Sequence, residues 1–384
     1  MSANYFNTYY VNKYGIAYSC DIYPDKLKSD LSQINENDYK GIKNFDTVYV
    51  ISSALKDWFK KVYPEIKKSK LKIILVTGDS IVGTPLAALS ISKNLVKEIR
   101  NDGIILHWFC QNCDIRWNSY ITPIPLGIDY HTINRQSYWG EMRTHYITQE
   151  LILNSNSMNR FEDFNTRKYS LFCDIHLNKY VYNQDRRDAF QSISKIKNSY
   201  TLKKRIPRYQ YWKEMKKCNY ILAPKGRGLD THRIWEAFVL GVVPIVMKSS
   251  IDKIFSGLPI LTVDCYNEVS QSLISEYQLP KTIDLRKLTL QYWVELIERK
   301  KDVAKSNQKN VINIKTSKIE SYYSKDRYFK SEESLYYSYL RKLQSKPTLL
   351  FTIIFQLIRN LIFYPIMFFI NRSKSVVRKF LCRK

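Results

Sequence analysis

No Asp-x-Asp triplet occurs anywhere in the 384-residue chain, so nothing in it points to paired carboxylates bridging a divalent cation to phosphates. A phosphate-binding P-loop would close its turn with Gly-Lys-Ser/Thr, and a dinucleotide fold would place Gly-x-Gly-x-x-Gly near the amino terminus; both are absent. The amino-terminal stretch Met1 to Gly15 is polar and tyrosine-rich with no apolar h-region, so no signal peptide is apparent and a cytosolic start is expected. Cysteine is sparse, odd in number and scattered: Cys20, Cys110, Cys113, Cys173, Cys218, Cys265 and Cys382. That distribution fits reduced, buried thiols of a protein facing the cytosol better than a disulfide framework. Cys110-Gln-Asn-Cys113 has no second pair or nearby His pair to complete a tetrahedral site, and it ends a strand instead of opening a redox helix. Acidic residues are also short: 35 Asp and Glu face 61 Lys and Arg, a net charge of +26. Such a charge implies anionic partners: nucleotide phosphates, a lipid headgroup surface or nucleic acid. No nucleic-acid motif is present, and the aromatics are spread throughout instead of lying on one basic face, so nucleic acid is not an expected partner.

What is present is a 45% hydrophobic composition, enough for the cores of two ordinary domains. Apolar runs alternate with helical patterns. Thr47 to Ser52 reads as a strand, Leu55 to Val62 as a helix, Leu71 to Val76 as a strand, Leu86 to Ile99 as a helix, Ile104 to Phe109 as a strand and Ile121 to Ile124 as a short one. Alternation of this kind predicts a parallel sheet with ligand-binding loops beyond the strands' carboxyl ends. Those loops are Thr77-Gly78-Asp79-Ser80, Gln111-Asn112-Cys113-Asp114 and Leu126 to His131. A second α/β half starts at Tyr169 to Ile175 and continues through Ile260 to Val263 to helices near Glu268 to Tyr277 and Leu290 to Lys300. The expected division is 1–140 for the first half, 141–168 for a polar connection, 169–303 for the second half, 304–347 for a partly helical crossover and 348–384 for a tail.

The densest information lies in residues 219 to 247. An apolar strand at Tyr220 to Ala223 runs into the turn Pro224-Lys225-Gly226-Arg227-Gly228, a helix opens at Asp230 or Thr231, Gly241 stops it, and a strand follows at Val242 to Met247. Two glycines let backbone approach a ligand closely, two cations attract an anion, and the helix start points backbone N–H groups at the same place. A pyrophosphate fits these features. Arg233 and Glu236, three residues apart, share a helix face. The cation suits phosphate and the carboxylate suits sugar hydroxyls.

The run Pro-Lys-Gly, Asp230-Thr231-His232-Arg233, Glu236-Ala237, Gly241-Val242-Val243-Pro244-Ile245-Val246 resembles the donor-site signature of exostosin-type glycosyltransferases. Upstream, Arg186 or Arg187 and the stretch Tyr211 to Cys218 resemble elements preceding that signature. Lys225 stands for the usual Arg, Thr231 for Ser and His232 for a small residue or Pro, which keeps the chemistry of each position. The resemblance implies the GT-B architecture: two Rossmann-like α/β domains facing a cleft. It further implies an inverting, metal-independent transfer from a nucleotide-sugar, UDP-linked by expectation, to a glycan or lipid-linked acceptor, with no cofactor. Lys225, Gly226, Arg227, Gly228, Asp230, Thr231, His232, Arg233 and Glu236 are the expected donor-binding residues. A retaining enzyme would carry a second Glu eight residues before the Glu-Ala, where this chain has Gly228. The competing readings are a fucosyltransferase-like enzyme using a GDP-sugar, an inactive glycosyltransferase-like scaffold and a basic nucleic-acid-binding protein.

An inverting transfer needs a base for the acceptor hydroxyl, and the first half's rim offers Asp79, Asp114, Asp129 and His131. Each also has a bland reading: Asp79 as a helix cap, Asp114 and Asp129 as turn residues, His131 as a surface residue. At the other end, Leu349 to Ile370 is long and apolar but carries Arg359 and Pro365, and the residues beyond it are basic without an acidic one. A charge near mid-membrane costs about 2.5–3.5 kcal/mol on insertion scales. An in-plane or hairpin anchor on an anionic membrane surface is therefore expected ahead of a spanning helix or a helix packed on the core, which puts the protein on the cytoplasmic face of a membrane.

Overall fold

The computed structural model of the protein describes residues 8–29, 31–138, 140–157, 160–175 and 184–309. The tail expected at 348–384, and the part of the 304–347 crossover beyond residue 309, lie outside the described residues. These residues divide into two units: those within 8–129 and 153–309 form the first, and those within 130–152 belong to the second.

In the first unit, short apolar runs form strands because both faces of a parallel sheet are covered. β1 (Thr47–Ile51) and β2 (Ile73–Gly78) are buried at every position. With β3 (Ile105–Cys110) and β4 (Ile121–Pro123) they form a four-stranded parallel sheet in the order β1-β2-β3-β4. A second parallel sheet holds β5 (Tyr169–Cys173), β6 (Ser199–Thr201), β7 (Cys218–Leu222), β8 (Val243–Met247) and β9 (Leu261–Val263), in the order β6-β5-β7-β8-β9. Leu171, Leu222, Val243 and Ile245 form the centre of its core, with Ala189, Val269 and Ile274 covering them. The fold class is thus α/β with two parallel sheets, as the alternating pattern predicts.

The helices are α1 (Lys13–Tyr18), α2 (Leu55–Lys61), α3 (Tyr63–Lys68), α4 (Leu86–Leu89), α5 (Lys93–Asn101), α6 (His131–Arg135), α7 (Tyr146–Ser155), α8 (Gln184–Ser192), α9 (Arg208–Lys216), α10 (His232–Val239), α11 (Gln271–Glu276) and α12 (Leu290–Lys309). The single helix expected over Leu86 to Ile99 is two. Ser90 adopts a left-handed conformation (φ 57°) that stops α4, and α5 restarts after Ser92. Serines favour such breaks because their hydroxyls compete for backbone groups. β6 and α1 went unrecognised: a three-residue strand and a six-residue helix are too short to show a period. Instead α1 starts on its cap, with Asn12 Oδ1 accepting from the amides of Tyr14 and Gly15 at 3.1 and 2.8 Å.

After the second sheet the chain returns to its own beginning at Leu288 to Leu290. Val11 N donates to Leu288 O at 2.8 Å and Leu290 N donates to Tyr9 O at 2.9 Å. The bare Gly15 accommodates the Leu290 side chain, which lies 2.6 Å from where a Cβ would sit. α12 then ties back to the first sheet's edge, with Lys301 Nζ 2.5 Å from Asp21 Oδ2 while that oxygen accepts from Thr47 N. In the second unit, Tyr130 donates its hydroxyl to Glu150 Oε1 at 2.9 Å and Gln149 donates to the Tyr130 carbonyl at 3.0 Å, which fixes α7 on the start of that segment. α7 falls within the stretch expected to be a polar connection.

Candidate functional site

Open parallel sheets bind ligands at the carboxyl ends of strands where the strand order reverses. The second sheet has such a point. From β5 the chain goes to β6 on one side, then crosses back to β7 on the other. The first sheet runs β1 to β4 in sequence order and has none. The switch point therefore lies between β5, which Asp174 follows, and β7, which the turn Pro224 to Gly228 follows on the way into α10.

Arg233, in the first turn of α10, reaches this point. Its Nε donates to the Tyr211 hydroxyl at 3.1 Å, and one terminal nitrogen meets the Asp174 carbonyl at 3.0 Å and carboxylate at 3.2 Å. Burial opposes its charge, but Tyr211 and Asp174 outweigh that and hold it above the ordinary arginine range. Arg186, in the first turn of α8, is close enough to feel Arg233: burial first, then that like charge, lower its affinity for the proton. Both guanidiniums act on the same carboxylate, Asp174. Lys225 sits in the turn with Nζ 2.7 Å from Asp185 Oδ2, and Arg227 beside it is exposed. Among the described residues no atom lies within 4 Å of where a Gly226 Cβ would point. Thr231 caps α10 without a side-chain hydrogen bond, and its buried Oγ1 has no hydrogen-bond partner among the described residues.

The rest of the signature serves to join loops. Asp230 is buried; its carboxylate accepts from Leu126 N at 2.7 Å and from Trp235 Nε1 at 2.9 Å. Burial raises its pKa to about 6, against the opposing pull of those donors. The Asp230 amide donates to Asn112 Oδ1 at 2.9 Å, and Gly228 packs against the same side chain, 2.7 Å from where its Cβ would be. His232 Nδ1 lies 2.6 Å from Gly127 O; since a carbonyl only accepts, the proton is on Nδ1. Asp129 completes this seam. Its carboxylate is 2.9 Å from an Arg208 guanidinium nitrogen, and its carbonyl accepts from the other terminal nitrogen.

Glu236 lies buried one turn along α10. Burial raises its pKa to about 7; Arg208 counteracts this and Asp129 adds to it, so these three charged groups share one environment. Of the base candidates, Asp79 is fully buried at the end of β2, paired with Lys13 and accepting from Ser29 Oγ at 2.7 Å. Asp114 holds the start of α4, accepting from the amides of Leu86 and Ala87 at 3.0 and 2.9 Å. His131 opens α6, half-buried, in the second unit. Sequence reasoning did not find Asp174, Asp185 or Arg208. Asp174 could have been flagged as the first residue past an apolar strand. Arg208 pairs with a residue 79 positions away, which no local pattern signals.

No protein-family model matches the chain, and no curated protein matches it. Among solved structures it is similar to one titled "OtsA apo structure", with 11% identity over 73% of this chain and 80% of that one and a TM-score of 0.34. At that TM-score nothing about this chain's architecture or activity follows from it.

Proposed function

We propose that the switch point of the second sheet holds the diphosphate of a nucleotide-sugar and that the protein is a glycosyltransferase of the two-domain GT-B type, exostosin-like in its donor signature. The observation that carries this reading is Arg233, in the first turn of α10, fixed by Tyr211 and Asp174 at the end of β5. Lys225, Arg227, Arg233 and the first-turn amides of α10 offer the leaving diphosphate a preorganised positive environment. Glu236 is the acceptor of hydrogen bonds from sugar hydroxyls.

The reaction is a single displacement. The acceptor oxygen forms a bond to the anomeric carbon, the bond from that carbon to phosphate breaks, the nucleoside diphosphate leaves with the electron pair, and the acceptor proton passes to a base. Asp129 shares the environment of Glu236, but Arg208 holds its carboxylate as Lys13 holds that of Asp79, so the base is assigned to neither of them. The lack of an Asp-x-Asp triplet supports transfer without a metal, which predicts activity in excess chelator. The net charge of +26 and the basic tail sequence support association with an anionic membrane surface. Among the described residues no helix is long and apolar enough to cross a membrane.

The test is a thermal-shift panel of UDP, GDP and their sugars. A specific binder at a hundredfold excess over its dissociation constant stabilises by about 2.7 kcal/mol. UDP and UDP-sugars are expected to shift the transition; a response confined to GDP-sugars favours the fucosyltransferase-like reading, and no response to any removes the enzyme assignment.

A further inference from the structure

The cations of the candidate site are not held alike. Arg233 has several anchors, the Tyr211 hydroxyl and both the carbonyl and carboxylate of Asp174, and its side chain is 20% exposed. Lys225 is 47% exposed, and its ion pair is to Asp185 Oδ2 at 2.7 Å. Asp185 sits in the first turn of α8, and among the described residues nothing lies within 4 Å of where a Cβ of Gly226, next to Lys225, would point. A carboxylate thus occupies the lysine that the turn offers to an incoming anion.

We propose that Asp185 is a built-in competitor for the ligand's phosphate, so that binding exchanges one anion for another on Lys225 while Arg233 stays fixed. This rests on the donor-site reading above and adds a residue that sets the site's affinity. The Lys225–Asp185 pair is open to solvent on its lysine side and so is weak enough to be exchanged, whereas multiply anchored Arg233 is not. The Asp185 carboxylate also lies close to the space the phosphate would enter, so its removal strengthens binding on two counts: Lys225 is released, and a like charge is gone.

The experiment is calorimetric titration of inorganic pyrophosphate into the wild-type protein and into Asp185→Asn, with Asp185→Ser as a second variant should the first be unstable. The competitor role predicts tighter binding to the variants by about two- to fivefold, the range of an ion pair with one partner open to solvent. A structure of the wild type with pyrophosphate is expected to show Lys225 Nζ on a phosphate oxygen and no longer on Asp185. Equal or weaker binding by the variants overturns the inference and makes Asp185 a support for Lys225. If the wild type binds nucleoside diphosphates while the variants bind pyrophosphate no tighter, the donor-site reading stands and this inference alone fails. If neither wild type nor variants bind pyrophosphate or any nucleoside diphosphate, both fail.

Discussion

The guanidinium of Arg208 lies 2.9 Å from Oδ2 of Asp129, and both side chains are more than nine-tenths enclosed. This pair closes a seam in which Asn112, Leu126 and Gly127, from loops after the first sheet's strands, meet Asp230 and His232 at the start of α10. Helix α10 is therefore held at its first turn by side chains and backbone far away in sequence.

Removing one partner of a buried pair is costly. Arg208→Met leaves the Asp129 carboxylate buried without its guanidinium and is expected to lower stability by about 3–5 kcal/mol. Arg208→Met with Asp129→Leu is expected to recover most of that loss, since two apolar side chains need no counter-charge. Urea unfolding of both proteins checks this; a double variant as unstable as the single one would mean that Asp129 supports the fold through other contacts.

Stability should also depend on pH in a definite direction. Burial raises Asp230 from 3.8 to about 6 and Glu236 from 4.5 to about 7. Between the unfolded and folded values the folded protein binds more protons than the unfolded chain, so these groups make it less stable as pH rises from about 4 to about 7, each by up to about 3 kcal/mol. Asp230→Asn keeps an oxygen for the Leu126 amide and is expected to remove the lower part of this slope. Glu236→Gln is expected to remove the upper part. Unfolding midpoints measured across that range, unchanged in slope for both variants, would show that neither carboxyl titrates as described.

The two glycines of the turn are expected to behave oppositely. Gly226→Ala meets no atom of the described residues and should leave stability within about 0.5 kcal/mol, while weakening pyrophosphate binding if a ligand approaches the backbone there. Gly228→Ala would drive a methyl group into Asn112 and should cost about 1–3 kcal/mol. Paired melting curves and pyrophosphate titrations separate the effects. Stable Gly228→Ala or an unstable Gly226→Ala would contradict the packing described for this turn.

The strands were legible because parallel strands buried on both faces are written as apolar runs: Thr47 to Ile51 and Val243 to Met247 lie within a residue of their expected limits. The helix after the turn was legible from Gly241 at its end, which has a left-handed φ of 70°. What the sequence conceals is which members of a motif face a ligand and which brace the fold. Asp230 and Arg233 stand three residues apart in one signature. The first is buried against Leu126 and Trp235, while the second turns toward Asp174 at the switch point. Nothing local distinguishes them, since the difference depends on loops about a hundred residues upstream for one and on the end of β5 for the other. The pairing of Lys225 with Asp185 was hidden for the same reason.

Calorimetric titration of UDP and GDP into the wild type and Arg233→Ala tests the central claim most directly. The account predicts that the wild type binds one of the two nucleotides, and that Arg233→Ala, folded by its melting transition, binds it at least about tenfold more weakly through loss of a charge-assisted hydrogen bond worth about 1.5–3 kcal/mol. Equal affinity in a folded Arg233→Ala, or no binding of either nucleotide to the wild type, would contradict it.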